Sequence, residues 1–424
     1  MSQRKAFSHE APVIPVQPRC RFCGQTLHHT FVDLGMSPLC ESYVSAEQLN
    51  GSESFYPLHV YVCESCLLVQ LDEYVSASEI FGNYAYFSSY SDSWVRHAKK
   101  YVDDVSDRFE IGPRHRVIEV ASNDGYLLQH FVARGVPVLG IEPAANVAEV
   151  AVKRGIQTVV RFLGEQSARL IVEEHGQADL VVANNVFAHV PALNDFAEGL
   201  RLLLKPFGVL TIEVPHLWRL IESNQFDTIY HEHFQYYSLL SAERVLAAHG
   251  LVVFDVDELP SHGGSLRLYV RRKDDDTKPE TARLTGLRER EREYGFDHLA
   301  AYLGFEPRVE ATKRKLLSFL IAAREQGKKV VGYGAPGKGN TLLNYCGIRT
   351  DFIEFTVDRN PYKQGKYTPG TRIPILPPDE IARARPDYLL ILPWNLRDEI
   401  ESQLSYIREW GGRFVVPIPQ VAVF

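Results

Sequence analysis

The sequence contains no long apolar segment of the kind that crosses a membrane. No hydrophobic run approaches the roughly 20 residues that span a bilayer. The first residues, Met1–Ala6, lack the hydrophobic core of a secretion signal. We therefore expect a cytoplasmic protein without a membrane partner.

An excess of positive charge is also absent. The 46 Lys and Arg side chains are outnumbered by 53 Asp and Glu, which gives a formal net charge of −7. Together with the lack of a basic stripe carrying interleaved aromatic residues, this balance disfavours a nucleic-acid partner. The hydrophobic content of 45% and the charged content of 23% are ordinary for a globular protein. A length of 424 residues predicts about three domains.

Cysteine is scarce, with six residues, and four of these form two close pairs separated by 39 residues. Cys20 with Cys23 and Cys63 with Cys66 each form a C-x2-C knuckle, and two knuckles supply four thiolates to a tetrahedral zinc ion. Because four soft ligands leave no coordination position for substrate, we expect the zinc to be structural. Chance pairs or a redox dithiol are the alternatives. The remaining two cysteines, Cys40 and Cys346, are expected to be small packing residues.

The stretch Val117–Gly125 has the pattern of a buried strand that turns into a helix. It lacks the glycines that bring backbone amides close to a pyrophosphate, and it carries acids at Glu119 and Asp124. These acids would repel a dinucleotide but attract the ammonium and sulfonium groups of S-adenosylmethionine. Glu142, 23 residues beyond Glu119, ends the next strand and is placed to accept the hydroxyls of a ribose. The alternative is an ordinary turn with incidental acids.

Strand and helix patterns alternate from Val117 to Val270, which predicts a mostly parallel sheet with helices on both faces. The predicted strands are Val117–Val120, Val136–Ile141, Leu180–Ala183, Val209–Val214, Val252–Val256 and Leu266–Val270, the last two as an antiparallel pair. Ligands bind at the carboxyl ends of such strands, where Glu119, Glu142, Asn184 and Glu213 fall. Leu203–Gly208 is typical of a helix end followed by a tight turn.

A charge-dense stretch, Lys273–Asp297, predicts an exposed connection leading into a solvated helix at a domain boundary. A second nucleotide-like unit follows. Gly332–Lys338 resembles a phosphate-binding loop, but Gly339 replaces the hydroxyl residue that would hold magnesium. The loop therefore favours phosphate binding without nucleotide hydrolysis. Later predicted strands, Phe352–Val357, Tyr388–Ile391 and Arg413–Val416, complete an α/β domain.

The run Tyr230-His231-Glu232-His233 is the strongest candidate for chemistry. Its histidines are not spaced as in a metalloprotease, where they lie four apart on a helix. Imidazole titrates near neutral pH, and an adjacent carboxylate or phenol fixes its tautomer, so a general base is the better role for a histidine here. A structural role is the alternative. His189, after the third strand, is a second candidate residue of the site.

Several motifs in one order make the sequence similar to the sugar C-methyltransferases of deoxysugar biosynthesis, which methylate carbon 3 of nucleotide-linked 4-keto-deoxyhexoses. The resemblance runs from Cys20 to about Pro417, and it is carried by the two cysteine knuckles and by Glu119–Leu128, Asn185–Val190, Tyr230–His233, His262–Ser265 and Gly334–Leu343. It implies a zinc-binding domain (1–75), a central class I methyltransferase domain with a Rossmann-like sheet (76–272) and a C-terminal Rossmann-like α/β domain that helps to hold the sugar nucleotide (273–424). We expect a monomer or a small homo-oligomer.

The resemblance also implies roles for residues. His233 becomes the general base, with Tyr230, Glu232 and Tyr84 around the sugar, and the four knuckle cysteines become zinc ligands. The predicted cofactor residues are Glu119, Asn123, Asp124, Gly125, Glu142, Asn184, Asn185 and His189. The predicted substrate residues are Tyr90, His189, His262, Lys338 and Asn340.

Two other functions are weighed against this one. The first is a zinc-ribbon adaptor that binds RNA or protein on a degenerate methyltransferase fold, and the acidic net charge counts against it. The second is a nicotinamide oxidoreductase, which the missing G-x-G-x-x-G after Val117–Val120 disfavours.

Overall fold

The computed structural model describes residues 17–81, with only the backbone of Phe81, and residues 87–424. The predicted site residue Tyr84 lies outside these residues. The strands are β1 His29–Ser37, β2 Tyr56–Val62, β3 Val69–Leu71, β4 Val117–Val120, β5 Val138–Ile141, β6 Thr158–Val159, β7 Ala178–Asn184, β8 Leu204–Pro215, β9 Gln235–Tyr236, β10 Leu251–Leu259, β11 Ser265–Arg272, β12 Val330–Tyr333, β13 Thr356–Val357, β14 Ile375–Leu376, β15 Tyr388–Ile391, β16 Arg413–Val416 and β17 Ala422–Val423. The helices are α1 Ala77–Phe81, α2 Asp92–Arg108, α3 Leu128–Val132, α4 Ala145–Lys153, α5 Glu165–His175, α6 Leu193–Leu203, α7 Leu217–Glu222, α8 Leu239–Ala248, α9 Ala282–Tyr294, α10 Ala300–Leu303, α11 Glu306–Glu325, α12 Gly337–Cys346, α13 Glu380–Ala384 and α14 Arg397–Gln403.

Three sheets organise the chain, and the N-terminal sheet has the order β1-β2-β3-β9 with every pair antiparallel. Its last strand, β9, comes from far along the sequence, directly after the Tyr230–His233 run. The pairing of Val69 with Tyr236 and of Gln70 with Gln235 therefore attaches the N-terminal sheet to the part of the chain that carries the candidate base.

The central sheet has the order β10-β11-β8-β7-β4-β5-β6. Strands β8, β7, β4, β5 and β6 are parallel, because the helices between them carry the chain back across the sheet, and β11 and β10 are antiparallel. This arrangement confirms the predicted α/β fold and the predicted antiparallel pair. The two-residue strand β6 was not predicted, since two residues are too short to show a period.

One local prediction in this region is wrong, and a second holds only in part. Helix α6 does end at Leu203, but β8 begins at Leu204, so the predicted tight turn is instead the irregular start of a strand. The predicted solvated helix, α9, is only partly solvated because Leu284, Leu287 and Glu291 are buried. Glu291 accepts hydrogen bonds from the backbone amides at the start of α8, at 2.7 and 3.0 Å.

The C-terminal sheet has the order β14-β13-β12-β15-β16-β17, and all pairs except β16 with β17 are parallel. This agrees with the predicted Rossmann-like domain, although the strand predicted at Phe352–Val357 shortens to β13. Helix α12 follows β12, and its first residues face the central sheet across a cleft. Within the described ranges, no helix combines the length and apolar character that crossing a membrane requires.

Candidate active site

A cleft of about 420 Å³ lies at the carboxyl ends of the central parallel strands. This is where an open α/β sheet binds its ligands. All three sheets contribute to its walls through the segments that leave them. The polar and aromatic lining residues include Cys40, Glu41, Trp94, Asn123, Glu142, Arg161, Asn184, Asn185, His189, Gln225, Tyr230, Glu232, His233, His262 and Lys338.

At one end of the cleft, Glu142 follows β5 and faces the loop after β4. One carboxylate oxygen of Glu142 accepts the Asn123 amide at 3.0 Å, and the other accepts the Ala144 amide at 2.9 Å. Asn123 itself has a φ of 50°, a left-handed conformation that asparagine tolerates better than most residues. The two amides fix the Glu142 carboxylate at the strand end and leave each of its oxygens a further lone pair for the cleft.

Asn184 and Asn185 end β7 beside this carboxylate and line the same part of the cleft. Asn184 Oδ1 and Asn185 Nδ2 are buried without a hydrogen-bond partner among the described residues. Burying unpaired amide atoms is costly, so these atoms suit a polar ligand. Glu119 lies beneath the loop, where burial raises the pKa of its carboxyl well above its usual value and the Glu142 carboxyl raises it further. The acceptor oxygens of Glu142 and Asn184 fit S-adenosylmethionine, whose ribose hydroxyls and ammonium group donate hydrogen bonds.

Three predicted cofactor residues do not line the cleft: Glu119, which is buried beneath the loop, Asp124 and Gly125. Asp124 is fully buried and holds the turn before α2: its Oδ2 accepts the Ser89 hydroxyl, and Arg154 Nη1 lies 3.4 Å from the same oxygen. Gly125 has a φ of 80°, and a Cβ built on it would lie 2.3 Å from the Ile156 side chain. Asp124 and Gly125 therefore shape the loop from the side that faces away from the cleft.

The candidate base, His233, lies in a turn closed by its own amide, which donates to the Tyr230 carbonyl at 2.9 Å. The side-chain Nδ1 of His233 lies 2.9 Å from the Thr228 carbonyl oxygen. Since a carbonyl only accepts hydrogen bonds, Nδ1 carries the proton and Nε2 keeps a free lone pair. Burial lowers the pKa of His233 well below its usual value, and His189 lowers it further, so the ring is neutral at pH 7.

Glu232, the residue before the base, is buried and also lines the cleft. Burial raises the pKa of its carboxyl to about 8, and the nearby Glu41 carboxylate raises it as well. The group is therefore mostly a neutral carboxylic acid at pH 7, able to donate a hydrogen bond. In the same run, His231 points away and its Nε2 contacts the Pro57 carbonyl at 3.2 Å.

Three further side chains surround His233. The Tyr230 ring lies 4.1 Å from the His233 ring between centroids, and the His189 ring packs against it edge-on at 4.7 Å. Burial lowers the pKa of His189 to about 4.

His262 reaches the cleft from a turn with left-handed backbone. The φ of His262 is 54°, and those of the next two residues, Gly263 and Gly264, are 89° and 122°. Burial, and then the charge of Lys338, lower the pKa of His262 to about 4.

Lys338, at the start of α12, closes this end of the cleft. Its Nζ donates to Asn395 Oδ1 at 2.9 Å and lies 4.6 Å from the centre of the Trp394 ring. Burial lowers the pKa of Lys338, and the charge of the buried Asp227 opposes that shift.

Three other residues singled out in the sequence lie off the cleft. Asn340 is buried on α12, where its Nδ2 donates to the Cys40 carbonyl at 2.6 Å. Tyr90 is 65% exposed, and its ring stacks on that of Tyr362. Glu213 is fully buried and pairs with Arg267 at 2.6 Å.

The four paired cysteines lie together in the N-terminal unit. Their Sγ atoms are all within 4.8 Å of one another, and the Cys20–Cys66 and Cys23–Cys63 pairs are each 3.5 Å apart. Zn–S bonds of about 2.3 Å place tetrahedral sulfur ligands about 3.8 Å apart, so the cluster fits zinc. Gln70 Nε2 donates to Cys20 Sγ at 3.1 Å and so orients one ligand. The site is structural, because four thiolates complete the coordination.

Several cleft residues were not predicted. Arg161 and Phe162 follow β6, and because that strand was not predicted, neither residue could be placed at the end of the sheet. Trp94 lies on α2 and Glu41 follows β1, and both reach the cleft only through tertiary packing. Gln225 carried a weak signal, since it directly precedes the run of polar and aromatic residues that ends in His233.

Comparison with known proteins gives the family. Family models described as "Putative zinc binding domain", "Methyltransferase domain" and "C-methyltransferase C-terminal domain" match residues 20–81, 94–256 and 260–419. The chain is 37% identical over 406 residues to the C-methyltransferase NovU of Streptomyces niveus, covering 95% of this chain and 96% of the relative.

Solved structures give weaker likenesses. A SAM-dependent methyltransferase from Anabaena variabilis is 18% identical, with a TM-score of 0.34, covering 41% of this chain and 85% of the other. The magnesium protoporphyrin IX methyltransferase of Synechocystis is 16% identical, with a TM-score of 0.32, covering 43% and 82%. From the family models and the full-length relative, we conclude that the chain belongs to the S-adenosylmethionine-dependent C-methyltransferases that carry an N-terminal zinc-binding domain.

Proposed function

We propose that the chain transfers a methyl group from S-adenosylmethionine to carbon 3 of a nucleotide-linked 4-keto-deoxyhexose, giving a branched-chain sugar. One observation carries this proposal. The neutral imidazole of His233 donates a hydrogen bond from Nδ1 to a carbonyl, and the neighbouring residue Glu232 has a carboxyl group that is mostly protonated at pH 7. A C-methyltransferase must first make a carbon nucleophile. A base and an acid whose pKa values are set apart by their surroundings are what that step requires.

The base in this proposal is His233. A ketone at carbon 4 acidifies the proton on carbon 3, and Nε2 of His233 takes that proton. The electrons of the C–H bond form a double bond between carbons 3 and 4, and the carbonyl electrons move to oxygen 4. When bound, S-adenosylmethionine would supply an electrophilic methyl group whose bonding electrons stay on the departing thioether sulfur. The electron pair of the double bond forms the new bond from carbon 3 to the methyl group as the ketone re-forms. His233 releases its proton readily afterwards, because its lowered pKa disfavours the charged ring.

Glu232 acts on the oxygen where charge develops, and Tyr230 and His189 orient the base. A protonated carboxyl group of Glu232 donates a hydrogen bond to oxygen 4 as it becomes negative, which stabilises an enolate inside a site shielded from water. Tyr230 packs against His233 with the two ring planes tilted by 32° and so restricts the orientation of the imidazole. His189, edge-on to the same ring, restricts it from the other side.

Lys338 and the first amides of α12 would bind the diphosphate of the sugar nucleotide. A helix N-terminus carries unpaired amides and a partial positive charge, and Lys338 adds a full charge at the same place. The acid Glu142 lies at the other end of the cleft, where it would favour a cationic cofactor and disfavour a diphosphate. This charge distribution supports a cation at one end and an anionic substrate at the other.

The relative named as a C-methyltransferase supports a carbon acceptor. We further propose that residues 1–75 form the zinc-binding domain, 76–272 the cofactor domain and 273–424 the domain that holds the sugar nucleotide.

The test is incubation with S-adenosylmethionine and a panel of nucleotide 4-keto-6-deoxyhexoses in deuterated water, read by mass spectrometry. We expect one sugar to gain a methyl group. With S-adenosylhomocysteine in place of the methyl donor, we expect the same sugar to exchange one proton for deuterium, because enolisation continues without transfer. If the protein binds the cofactor but changes the mass of no sugar in either form of the assay, the acceptor class is wrong.

A further inference from the structure

The segment after β1 runs along the cleft wall between the central and C-terminal sheets. Cys40 and Glu41 of this segment line the cleft. Two contacts attach the segment to the C-terminal sheet: Asn340 Nδ2 donates to the Cys40 carbonyl at 2.6 Å, and Val44 forms an antiparallel bridge with Tyr367. The zinc-bearing part of the chain therefore reaches the catalytic centre directly.

The Cys40 side chain contacts the proposed acid. Its Sγ lies 3.6 Å from Glu232 Oε1, within hydrogen-bond range for sulfur, and both side chains are buried. A Cβ built on Gly337 would lie 2.8 Å from the same sulfur, so α12 packs closely against the thiol from the other side. The thiol thus has little freedom to turn away from the carboxyl group.

A charge pair flanks this contact. Lys363 Nζ lies 3.3 Å from Glu41 Oε2 and also donates to the Tyr43 hydroxyl at 2.8 Å and the Ala335 carbonyl at 2.9 Å. The Lys363 side chain is only 16% exposed, so three partners from two sheets hold its charge in one place.

We propose that Cys40, Glu41 and Lys363 are positioning residues for Glu232, with the thiol orienting its carboxyl group and the charge pair setting the electrostatic potential at that group. This inference rests on the proposed function, in which Glu232 donates a hydrogen bond to the substrate.

The pKa of Glu232 follows from these neighbours. Burial raises it, the Glu41 carboxylate raises it further, and the Cys40 thiol and the Lys363 charge lower it, for a value of about 8. The other titratable groups facing this site are His189, which bonds the Glu232 backbone, Tyr236 and Tyr43 near Cys40, and the flanking His231 and His233.

Two single substitutions therefore act in opposite directions. Glu41→Gln removes a negative charge, lowers the pKa of Glu232 and moves the alkaline limb of kcat/KM to lower pH. Lys363→Met removes a positive charge and leaves Glu41 unopposed, so the limb moves to higher pH. We expect shifts of about 0.5–1 pH unit, below the one to three units of a direct ion pair. In the double variant the alkaline limb should return close to its wild-type pH. Lys363→Arg keeps the positive charge and should also leave the limb near that pH.

Glu47→Gln and Lys366→Met are the matched controls. They change the net charge by the same amounts at residues that do not line the cleft, so neither should move the alkaline limb. Cys40→Ala removes the thiol donor and should move the limb to higher pH, whereas Cys40→Ser keeps a donor and should move it less. A purely structural role would lower the rate of all variants without these opposite shifts.

A second readout does not depend on turnover. The carboxyl stretch of Glu232, identified in isotope-labelled protein by its loss in Glu232→Gln, is titrated by infrared difference spectroscopy. The expected result is a midpoint near pH 8 that falls in Glu41→Gln and rises in Lys363→Met. Midpoints that stay fixed, or that shift in the same direction, overturn the positioning role even if the sugar is methylated. If the midpoints shift as expected in a protein that methylates no sugar, the positioning role of Cys40, Glu41 and Lys363 holds. Only the proposed sugar acceptor is then wrong.

Discussion

Replacing His233 with asparagine isolates the proposed base from its structural contact. The amide nitrogen of an asparagine occupies about the place of the imidazole Nδ1, so it keeps the hydrogen bond that Nδ1 donates to the Thr228 carbonyl at 2.9 Å. It has no counterpart of Nε2. The variant therefore removes the lone pair that accepts the proton and retains the partner that holds the side chain.

The two parts of this change differ in size. A general base contributes a factor of about 10²–10⁴, which corresponds to about 2.7–5.4 kcal/mol of transition-state stabilisation. The hydrogen bond to Thr228 contributes about 1 kcal/mol to folding, and leaving that buried carbonyl unpaired costs about 1–3 kcal/mol. His233→Asn should then lose at least a hundredfold in kcat with nearly wild-type stability. His233→Ala should lose the same activity and also unfold at lower urea concentration.

The assay follows methyl transfer and, with S-adenosylhomocysteine, deuterium exchange into the sugar. Both should fall together in His233→Asn, because in the proposed mechanism both need proton removal from carbon 3. Cofactor affinity, measured by calorimetry, should stay unchanged. A variant that keeps more than about a tenth of the exchange rate would show that another group removes the proton, since a general base is expected to contribute at least 10².

Three other perturbations test the cofactor end, the zinc site and the sheet. Glu142→Gln should weaken S-adenosylmethionine binding by about tenfold to a hundredfold in calorimetry, because a hydrogen bond to a charged group contributes about 1.5–3 kcal/mol. We expect elemental analysis to find one zinc per wild-type chain and none in Cys63→Ser, which should also melt at a lower temperature, since structural zinc contributes directly to folding. Cys346→Ser, also buried but outside the cluster, should keep the metal. Glu213→Gln leaves the buried Arg267 charge unpaired and should cost about 3–5 kcal/mol in urea unfolding at pH 7.

Glu213 also predicts how wild-type stability depends on pH. Burial alone would raise the pKa of its carboxyl, but the hydrogen bond from His97 and the charge of Arg267 lower it to about 2. A carboxyl whose pKa is depressed in the folded state stabilises the protein fully above its ordinary value of 4.5. That stabilisation is lost as the pH falls from there toward 2. Urea unfolding at pH 7, 5 and 3 should show this loss in the wild type and much less of it in Glu213→Gln.

The positions of residues at the ends of strands could be predicted from the sequence. Glu142 and Asn184 lie where β5 and β7 end, and the carboxyl ends of parallel strands meet at one edge of a sheet. Their approach to one another needs no knowledge of side-chain packing. The zinc site was predictable for a similar reason, because each knuckle fixes two ligands locally and only the meeting of the two knuckles is tertiary.

Residues whose partners lie far along the chain could not be predicted. Asp124 lies in the predicted loop, yet it turns from the cleft because Ser89 and Arg154 approach it from behind. Asn340 resembles a phosphate-loop residue, but its amide bonds the Cys40 carbonyl, 300 positions away. In both cases the polar side chain can hydrogen-bond to several kinds of group. Which of these groups lies within reach depends on how the sheets pack, and the local sequence does not show that.

The pKa values of the cleft bear on why a carbon acid is the substrate that this site suits. Burial lowers the pKa of His189 and His262 to about 4 and that of His233 well below its usual value, while it raises the pKa of Glu232 to about 8. At pH 7 three imidazoles and a carboxyl group are therefore neutral, in a cleft where Lys338 is the cationic side chain near the base. His233 becomes an imidazolium when it takes the proton, and a second protonated imidazole beside the enolate would add another acid able to return a proton to carbon. Neutral His189 and His262, together with a hydrogen-bond donor on the oxygen side, leave fewer acids beside the nucleophilic carbon and so favour its reaction with the methyl donor over reprotonation.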